Sequence, residues 1–113
     1  MKFKKIDSVM YRVKDLEEAK KFYEGILGLK QVWGDDKVQM IGFHFPESNI
    51  ELVIHTDSSL ANPEISFQVE NVEEFCKDYN RKGFKVFMEP IDVRCGKYAI
   101  LQILMGISFQ SLI

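Results

Sequence analysis

The chain has 113 residues, which is the length of one domain. Its net charge of −2, with acidic and basic residues mixed along the chain, argues against nucleic acid as its main partner. No apolar run approaches the length of a membrane-spanning helix, and no signal peptide precedes the first predicted strand. With two cysteines and no disulfide framework, we expect a reduced, cytoplasmic protein.

The segment Ser8–Lys30 predicts a strand that runs directly into a helix. Apolar and polar residues alternate up to Arg12 with the period of a strand. Asp15 with Glu18 three residues later has the spacing of a helix-capping box. Gly28 is placed to end the helix in a left-handed conformation. Between cap and glycine, the apolar residues at helical spacing are Leu16, Ala19, Phe22, Tyr23, Ile26 and Leu27.

Three strands are predicted to follow this helix. A short strand covers Gln31–Gly34, with a turn at residues 34–36. Longer strands are predicted over Lys37–Phe45 and Ile50–His55, joined by a turn at Pro46–Asn49. Residues 58–63 have the composition of a linker.

The segment Glu64–Lys85 repeats Ser8–Lys30 at an offset of 56 residues, which becomes 55 where one residue drops out before Gly28 meets Gly83. Asn71 takes the place of the first cap, and Gly83 that of the first stop. The predicted elements are a strand over 65–70, a helix over 72–82 and strands over 85–88, 98–104 and 108–113. The order of one strand, one helix and three strands therefore occurs twice. Because each half alone would bury too little surface, the halves must share a core or pair with halves of another chain.

Strand parity separates an apolar face from a polar face in both halves. The face opposite the apolar one carries Ser8, Met10 and Arg12 in the first half and Glu64, Ser66 and Gln68 in the second, and all of these except Met10 are polar. Such a face is too polar for a sealed core, so we predict that it lines a solvated, ligand-binding cavity.

The segment VMYRVKDLEEAKKFYEGILGLK closely resembles the opening of the glyoxalase/bleomycin resistance protein/extradiol dioxygenase proteins, also called the vicinal oxygen chelate superfamily. The resemblance implies an α+β fold in which two βαβββ modules form a cupped mixed β-sheet, an open barrel with helices on the outside. It implies one glyoxalase/bleomycin-resistance-like domain over residues 1–113: module 1 at about 1–57, a linker at 58–63 and module 2 at about 64–113. In that superfamily the modules commonly pair within or across a dimer. Open sheet edges and the small core of each half also favour pairing, so we expect a homodimer.

Many members of that superfamily hold a divalent metal at four equivalent strand positions. In this chain those positions are Ser8 where His is usual, Glu51, Glu64 where His is usual, and Gln110 where Glu is usual. The internal repeat supports this assignment, because it pairs Ser8 with Glu64 and Glu51 with Gln110. Two carboxylates, an amide and a hydroxyl form an oxygen-only set that suits magnesium or calcium better than zinc, nickel or iron. We therefore expect no metal; a bound metal ion would use Glu51, Glu64 and Gln110.

The two histidines do not complete this set in the sequence-based interpretation. His55 lies four residues from Glu51 on the same strand, or roughly 13 Å. His44 is interpreted as a strand-surface residue.

Three functional classes remain open. The first is a metal-independent binder of a small organic molecule, of the bleomycin-resistance kind. The second is a metal-dependent lactoylglutathione-lyase-like isomerase or a dioxygenase that uses Glu51 and Glu64; Ser8 disfavours it, because chemistry on vicinal oxygens needs a Lewis acid. The third is a regulatory or structural module with a vestigial cavity. No catalytic residue is assigned, and the predicted ligand-binding residues are Ser8, Met10, Arg12, Glu51, Glu64, Ser66, Gln68 and Gln110.

Arg12 is the candidate to bind an anionic group of the ligand, since guanidinium forms strong charge-assisted hydrogen bonds. Trp33 and Phe87 are candidates for flat apolar walls beside it.

Family members usually carry DPDGN before the last strand, where this chain has ILMGI at Ile103–Ile107. The codons GAT CCT GAT GGG AAT ATC TTT CAA encode DPDGNIFQ. Deleting the first G and adding one T to the T run makes the same bases encode ILMGISFQ. We hypothesise a compensated frameshift, which the nucleotide sequence can test.

Overall fold

The structure, a computed structural model, describes residues 1–103 and 108–113, with only the backbone described at residues 103 and 108–110. The frameshift hypothesis for Ile103–Ile107 therefore lies outside the described residues, apart from the backbone of Ile103. The chain divides into two compact units. The first unit contains residues 8–63, and the second contains residues 1–7 and 64–113.

The first unit has one helical region and four strands. The helical region consists of α1 (Leu16–Lys20) and a π-helical segment (Lys21–Ile26). The strands are β1 (Lys5–Arg12, of which residues 5–7 belong to the second unit), β2 (Lys30–Asp35), β3 (Met40–His44) and β4 (Glu51–His55). They lie in the order β2-β3-β4-β1, with antiparallel β2–β3 and β3–β4 pairs and a parallel β1–β4 pair.

The start and the end of the first helical region are as predicted. The Asp15 carboxylate accepts a hydrogen bond from the Glu18 N–H at 3.0 Å, and Gly28 has φ = +73°. Leu16, Ala19 and Tyr23 pack against the core of Ile41, Phe43, Leu52 and Ile54.

The middle of this helical region differs from the prediction. Past Lys20 the helix widens, and the Leu27 N–H donates to the Phe22 carbonyl five residues earlier. The predicted apolar face is therefore only partly turned inward. Phe22, Ile26 and Leu27 have exposed fractions of 49, 73 and 54%.

The predicted turn at residues 34–36 is wrong. Strand β2 continues to Asp35, and the turn occupies residues 36–39. The Asp35 carboxylate accepts from the Lys37 N–H at 3.0 Å, and Gln39 adopts the left-handed conformation at φ = 54°. The sequence Gly-Asp-Asp predicted a turn that starts at Gly34. In the structure Asp35 is the last residue of β2, and its side chain caps a turn that starts at residue 36.

The second unit is built from β5 (Glu64–Gln68), α2 (Val72–Arg81), β6 (Val86–Val93), β7 (Gly96–Ile103) and β8 (Ser108–Leu112). Its strands lie in the order β5-β8-β7-β6, with a parallel β5–β8 pair and antiparallel β8–β7 and β7–β6 pairs. The core is formed by Val69, Val72, Phe75, Cys76, Val86, Ala99, Leu101 and Leu112.

Helix α2 has the predicted cap and stop. The Asn71 side chain accepts from the Glu74 N–H at 3.0 Å, and Gly83 has φ = +91°. Strand β6 is longer than predicted, because a register shift between Met88 and Ile91 accommodates Pro90, which has no N–H to donate.

The first seven residues belong to the second unit, although the sequence assigned them to module 1. The Lys4 N–H donates to the Gln68 carbonyl at 2.8 Å. The Phe3 ring stacks on Phe67 with 4.2 Å between centroids. These contacts attach the N-terminus to β5.

The predicted fold class is confirmed: the protein is α+β, with two βαβββ modules and mixed parallel and antiparallel strand pairing. Among the described residues, no helix is both long and apolar enough to cross a membrane.

Candidate functional site

Glu51, the first residue of β4, is the centre of a polar cluster in the first unit. Its Oε1 accepts from the Trp33 indole Nε1–H at 2.7 Å. Its Oε2 lies 3.4 Å from His44 Nε2. The Glu51 side chain is 25% exposed and that of His44 is 47% exposed, so both can be reached from solvent. The three residues come from three neighbouring strands, β4, β2 and β3.

Gly42 explains why the indole lies where it does. Trp33 and Gly42 are paired across β2 and β3. A Cβ atom at position 42 would stand 2.0 Å from Trp33 Nε1 and 2.4 Å from Cε2, so the ring occupies the space of the missing side chain. The indole is therefore held against β3 with its N–H directed at Glu51.

His44 also belongs to this cluster. The sequence-based interpretation had placed His44 on the strand surface, without a contact to Glu51. Strands β3 and β4 pair so that His44 lies opposite Glu51. The predicted turn at Pro46–Asn49 contained enough information to predict the pairing of His44 with Glu51. In an antiparallel hairpin centred on that turn, residues whose numbers sum to 95 face each other, and 44 and 51 are such a pair.

The predicted residues of β1 have very different surroundings. Ser8 is paired with Glu51 and is 5% exposed, and Met10 is 7% exposed. Arg12 is exposed, donates from Nη2 to the Leu60 carbonyl at 3.3 Å, and donates its backbone N–H to Asn62 Oδ1 at 3.0 Å. Its guanidinium therefore lies over the predicted linker and keeps further N–H donors.

His55 is fully buried and lies beside Arg12 in the β1–β4 pairing. Its Nδ1 accepts from the Asp57 N–H at 3.0 Å, so a neutral ring carries its proton on Nε2. Nε2 has no hydrogen-bond partner among the described residues. Burial lowers the pKa of His55; Asp57 raises this pKa, and Arg12 lowers it further.

In the second unit, Glu64 and Ser66 are buried, with exposed fractions of 1 and 2%. Glu64 Oε2 accepts from the Tyr98 hydroxyl at 2.6 Å. Ser66 pairs with Ser111 across β5 and β8, and neither hydroxyl has a hydrogen-bond partner among the described residues. Ser111, which is fully buried, was not singled out by sequence.

The expectation of a solvated polar face is therefore wrong at Ser8, Met10, Glu64 and Ser66. Their exposed fractions of 5, 7, 1 and 2% show that these side chains are sealed from water. Three of them are polar, and Glu64 is stabilised there by the hydrogen bond from Tyr98. Their role in ligand binding stays a prediction.

Gln110 also stays a prediction, because only its backbone is described. If the Ser8–Glu51 pairing of the first unit recurred at the equivalent positions of the repeat, Gln110 would lie level with Glu64. The observed β5–β8 register pairs Ser66 with Ser111, which brings residue 109 level with Glu64 by extension. The second unit thus departs by one residue from the arrangement that the repeat predicts.

Gln68 contributes to a cavity of about 400 Å³ in the second unit. The cavity lies at the start of α2, and its lining includes Asp7, Glu70, Asn71, Cys95 and Lys97. Phe87, a predicted flat wall, is 57% exposed on β6. Trp33 is half-buried and is held beside Glu51, as described above.

Of the four positions at which the resemblance implies a divalent metal, the structure describes the side chains of Ser8, Glu51 and Glu64. The described residues contain no group of three His, Cys, Asp or Glu side chains arranged to hold a metal ion. The Glu51 carboxylate accepts one donor and contacts a second, and Glu64 accepts the Tyr98 hydroxyl. The four positions of the resemblance, Ser8, Glu51, Glu64 and Gln110, offer only oxygen donors, whereas a transition metal favours imidazole or thiolate together with carboxylate.

Comparison with protein families identifies the class. Residues 5–109 match the family model of the Glyoxalase/Bleomycin resistance protein/Dioxygenase superfamily, and the chain belongs to this superfamily. No curated protein sequence matches the chain.

Several solved structures share the fold. Methylmalonyl-CoA epimerase from Mycobacterium tuberculosis is 18% identical, with a TM-score of 0.76 over 97% of this chain and 87% of that one. A hypothetical protein from Bacillus halodurans C-125 is 21% identical, with a TM-score of 0.72 over 96% and 91%. A glyoxalase/bleomycin resistance protein/dioxygenase superfamily member from Vibrio splendidus 12B01 is 11% identical, with a TM-score of 0.69 over 93% of each chain. At these identities the likeness concerns the fold alone.

Proposed function

We propose that this protein is a metal-independent binder of a small organic molecule. The observation that carries the proposal is how the Glu51 carboxylate is contacted by its neighbours and how far it is exposed to solvent. This carboxylate occupies the position of a metal ligand in the resemblance, but it is held by Trp33 and His44 and stays a quarter exposed. A carboxylate fixed in this way offers a directed hydrogen-bond acceptor to an organic molecule.

The proposed ligand has an apolar body and a polar or anionic end. The Trp33 ring supplies a flat apolar surface next to the polar Glu51 and His44. Arg12 is the residue proposed to bind an anionic group, because its guanidinium has five N–H donors and, among the described residues, one acceptor, the Leu60 carbonyl. The other proposed ligand-binding residues are Ser8, Met10, Glu64, Ser66, Gln68 and Gln110.

We propose no metal-dependent isomerase or dioxygenase reaction for Glu51 and Glu64, because Ser8 and Glu64 stand where His is usual and the oxygen-only set that results suits a transition-metal Lewis acid poorly. We further propose a cytoplasmic homodimer.

Binding is tested with the intrinsic fluorescence of Trp33, the single tryptophan of the chain. Arg12 lies four residues along β1 from Ser8, the partner of Glu51, or roughly 13 Å. We therefore expect aromatic carboxylic acids with a chain between ring and carboxylate, such as 5-phenylvalerate, to change Trp33 emission saturably and to raise the thermal unfolding midpoint by mass action. Arg12→Ala should weaken binding of such acids by about 1–3 kcal/mol, the range for a hydrogen bond to a charged group. Arg81→Ala, which removes an exposed guanidinium from α2, is the matched control and should bind as the wild type does.

Elemental analysis of protein purified without an affinity tag tests the metal independence. We expect substoichiometric nickel, zinc and iron, unchanged in Glu51→Ala. One bound transition-metal ion per chain that is lost in Glu51→Ala would contradict the proposal.

A further inference from the structure

Residues 57–62 form a strap that is tied at both ends within the first unit. At its start the Asp57 N–H donates to His55 Nδ1 at 3.0 Å. Further along, the Leu60 carbonyl accepts from Arg12 Nη2 at 3.3 Å, and Asn62 Oδ1 accepts from the Arg12 backbone N–H at 3.0 Å. The strap therefore occupies one donor of the guanidinium that is proposed to bind the anionic end of the ligand.

Asp57 organises the first half of the strap. Its Oδ1 accepts from the Ser59 N–H at 2.9 Å and from the Ser59 hydroxyl at 2.6 Å. Its carbonyl accepts from the Leu60 N–H at 3.5 Å. Because Asp57 and Leu60 belong to one hydrogen-bonded turn, a displacement of the Asp57 N–H also moves the carbonyl that Arg12 contacts.

His55 holds the strap through the ring nitrogen that a proton would occupy. The residue is fully buried, and its Nδ1 is the acceptor of the Asp57 N–H. A proton on Nδ1 would turn this acceptor into a donor, and no hydrogen bond can persist between two donors. The other nitrogen, Nε2, has no partner among the described residues, so the closed arrangement already contains a buried donor that has lost its hydrogen bonds to water.

Among the described residues, two charged groups act on the His55 ring. The Asp57 carboxylate in the strap favours the imidazolium, and the Arg12 guanidinium on β1 disfavours it. Strand β3 places Met40, which does not titrate, opposite His55. Burial is the largest effect and lowers the pKa of His55 below its ordinary value. An opened strap, in which the ring meets water, therefore binds the proton more readily than the closed strap does.

We propose that the strap is a proton-controlled gate on the ligand site: His55 takes up a proton, its bond to Asp57 breaks, and the strap releases Arg12 for an anionic ligand. The effect on binding rests on the proposed function, whereas the opening of the strap requires no ligand. Because linkage is reciprocal, an anion at Arg12 favours protonated His55. The affinity for the anion therefore rises as the pH falls below about 6.5, by at most about tenfold per pH unit, the limit for one proton.

Amide hydrogen exchange, followed by NMR between about pH 7.5 and 5.5, tests the opening without a ligand. Protection factors, which remove the intrinsic effect of pH on exchange, are compared for Asp57 and for Phe75, whose N–H donates to the Asn71 carbonyl at 2.9 Å in α2. We expect less protection at Asp57 than at Phe75, because the strap opens without unfolding of the protein. Below about pH 6.5 the Asp57 protection should fall by up to about tenfold per pH unit. Equal protection of the two amides, or Asp57 protection that does not change with pH, would overturn the gate.

His55→Asn separates the proton from the hydrogen bond. The Asn amide oxygen replaces Nδ1 as an acceptor but does not titrate, so the Asp57 protection should become independent of pH. His44→Gln, at the other histidine of the chain, should keep the pH dependence of the wild type. A pH dependence that persists in His55→Asn would count against the gate.

A second variant acts at the far end of the strap and keeps the test decisive if His55→Asn does not fold. Asn62→Ala removes the acceptor of the Arg12 N–H. It should lower the Asp57 protection already at pH 7.5, because the strap opens as one unit. Unchanged Asp57 protection in Asn62→Ala would overturn this cooperative opening and the gate with it.

The effect on binding is measured with 5-phenylvalerate and Trp33 emission at about pH 7.5 and 5.5, since a carboxylic acid is mainly ionised at both values. We expect the wild type to bind more tightly at the lower pH, by up to about tenfold, and His55→Asn to lose this gain. Equal pH dependence of the affinity in the two proteins would overturn the gate and leave the binder. A strap that opens with acid, without saturable binding of 5-phenylvalerate, would instead contradict the proposed function and support the proton-controlled opening.

Discussion

At the scale of single residues, Gly42 decides where the indole of Trp33 lies. An added methyl group would stand 2.0 Å from Trp33 Nε1, which no packing adjustment of a rigid ring can absorb in place. We expect Gly42→Ala to displace the indole, break its hydrogen bond to Glu51 and destabilise the protein by about 1–3 kcal/mol, the usual cost of overpacking. Trp33 emission should shift to longer wavelength, and the urea midpoint should fall.

Gly25→Ala provides the matched control for this prediction. No atom lies within 4 Å of a Cβ added at Gly25, and the residue lies in the helical segment. There alanine should be neutral or stabilising by up to about 1 kcal/mol, since glycine is the poorer helix former. Unchanged Trp33 emission in Gly42→Ala would contradict the seating of the indole on β3.

His55 predicts a pH dependence of stability. Burial lowers its pKa in the folded protein below the ordinary value near 6.5. The unfolded chain therefore binds a proton at His55 more readily than the folded chain does. The stability contributed by the neutral ring is complete above pH ~6.5 and is lost as the pH falls below it, at no more than about 1.4 kcal/mol per pH unit.

Urea unfolding at several pH values between 7 and 5 measures this loss. His55→Gln should flatten the slope, while His44→Gln, at the other histidine of the chain, should retain it. The pKa of Asp57 is also lowered, through hydrogen bonds from Ser59, but its contribution is lost only near and below pH ~3.9, outside the tested range. A slope that persists in His55→Gln would contradict the assignment.

At the scale of the elements, the local signals of the sequence were sufficient for the helix ends and the element order. Each cap lies three residues from the N–H that it caps, and each left-handed position is marked by its own glycine, so Asp15, Gly28, Asn71 and Gly83 could be assigned from sequence alone. The π-helical segment after Lys20 could not, because no local pattern marked the widening. The contacts of Glu51 with Trp33 and His44 depend on the pairing of three strands. The turn before β3 was predicted at residues 34–36 instead of 36–39, so the pairing of Trp33 with Gly42 could not be deduced from the sequence.

Helix α2 offers a direct test of its cap. Asn71 Oδ1 accepts from the Glu74 N–H at 3.0 Å, and α2 packs Val72, Phe75 and Cys76 into the core. Asn71→Ala should lower the free energy of unfolding by about 1 kcal/mol, since an N–H at the helix start loses its acceptor. Asn80→Ala makes the same substitution at an exposed position inside α2, and it should be neutral or slightly stabilising. Equal effects of the two substitutions in chemical denaturation would show that the cap contributes nothing.

At the scale of the whole molecule, the internal repeat predicted two modules, but it did not predict which residues belong to each compact unit. The first seven residues join the second unit, because Lys4 and Phe3 contact β5. Contacts between residues so far apart in sequence leave no local signature. The burial of Glu64 and Ser66 was missed for the same reason, since parity shows which side chains share a face but not what covers it.

The proposed homodimer is the prediction that belongs to this scale. Each compact unit holds about half of the 113 residues, and domains of about 60 residues are marginal because they bury a small fraction of their surface. Phe22, Ile26 and Leu27 expose 49, 73 and 54% of their surface, and covering such apolar surface contributes about 25 cal/mol per Å². We expect sedimentation equilibrium at micromolar concentration to give twice the mass of one 13.2 kDa chain. Ile26→Glu should shift the protein toward the monomer, because association would bury an unpaired charge.

Val38→Glu is the control for that variant, since Val38 is an exposed residue, at 52%, in the turn between β2 and β3. It adds the same charge away from the helical segment and should leave the mass unchanged. A wild-type mass of one chain would contradict the dimer. A dimer that resists Ile26→Glu would instead exclude the exposed face of Phe22, Ile26 and Leu27 as its interface, because a carboxylate buried without a partner costs several kcal/mol.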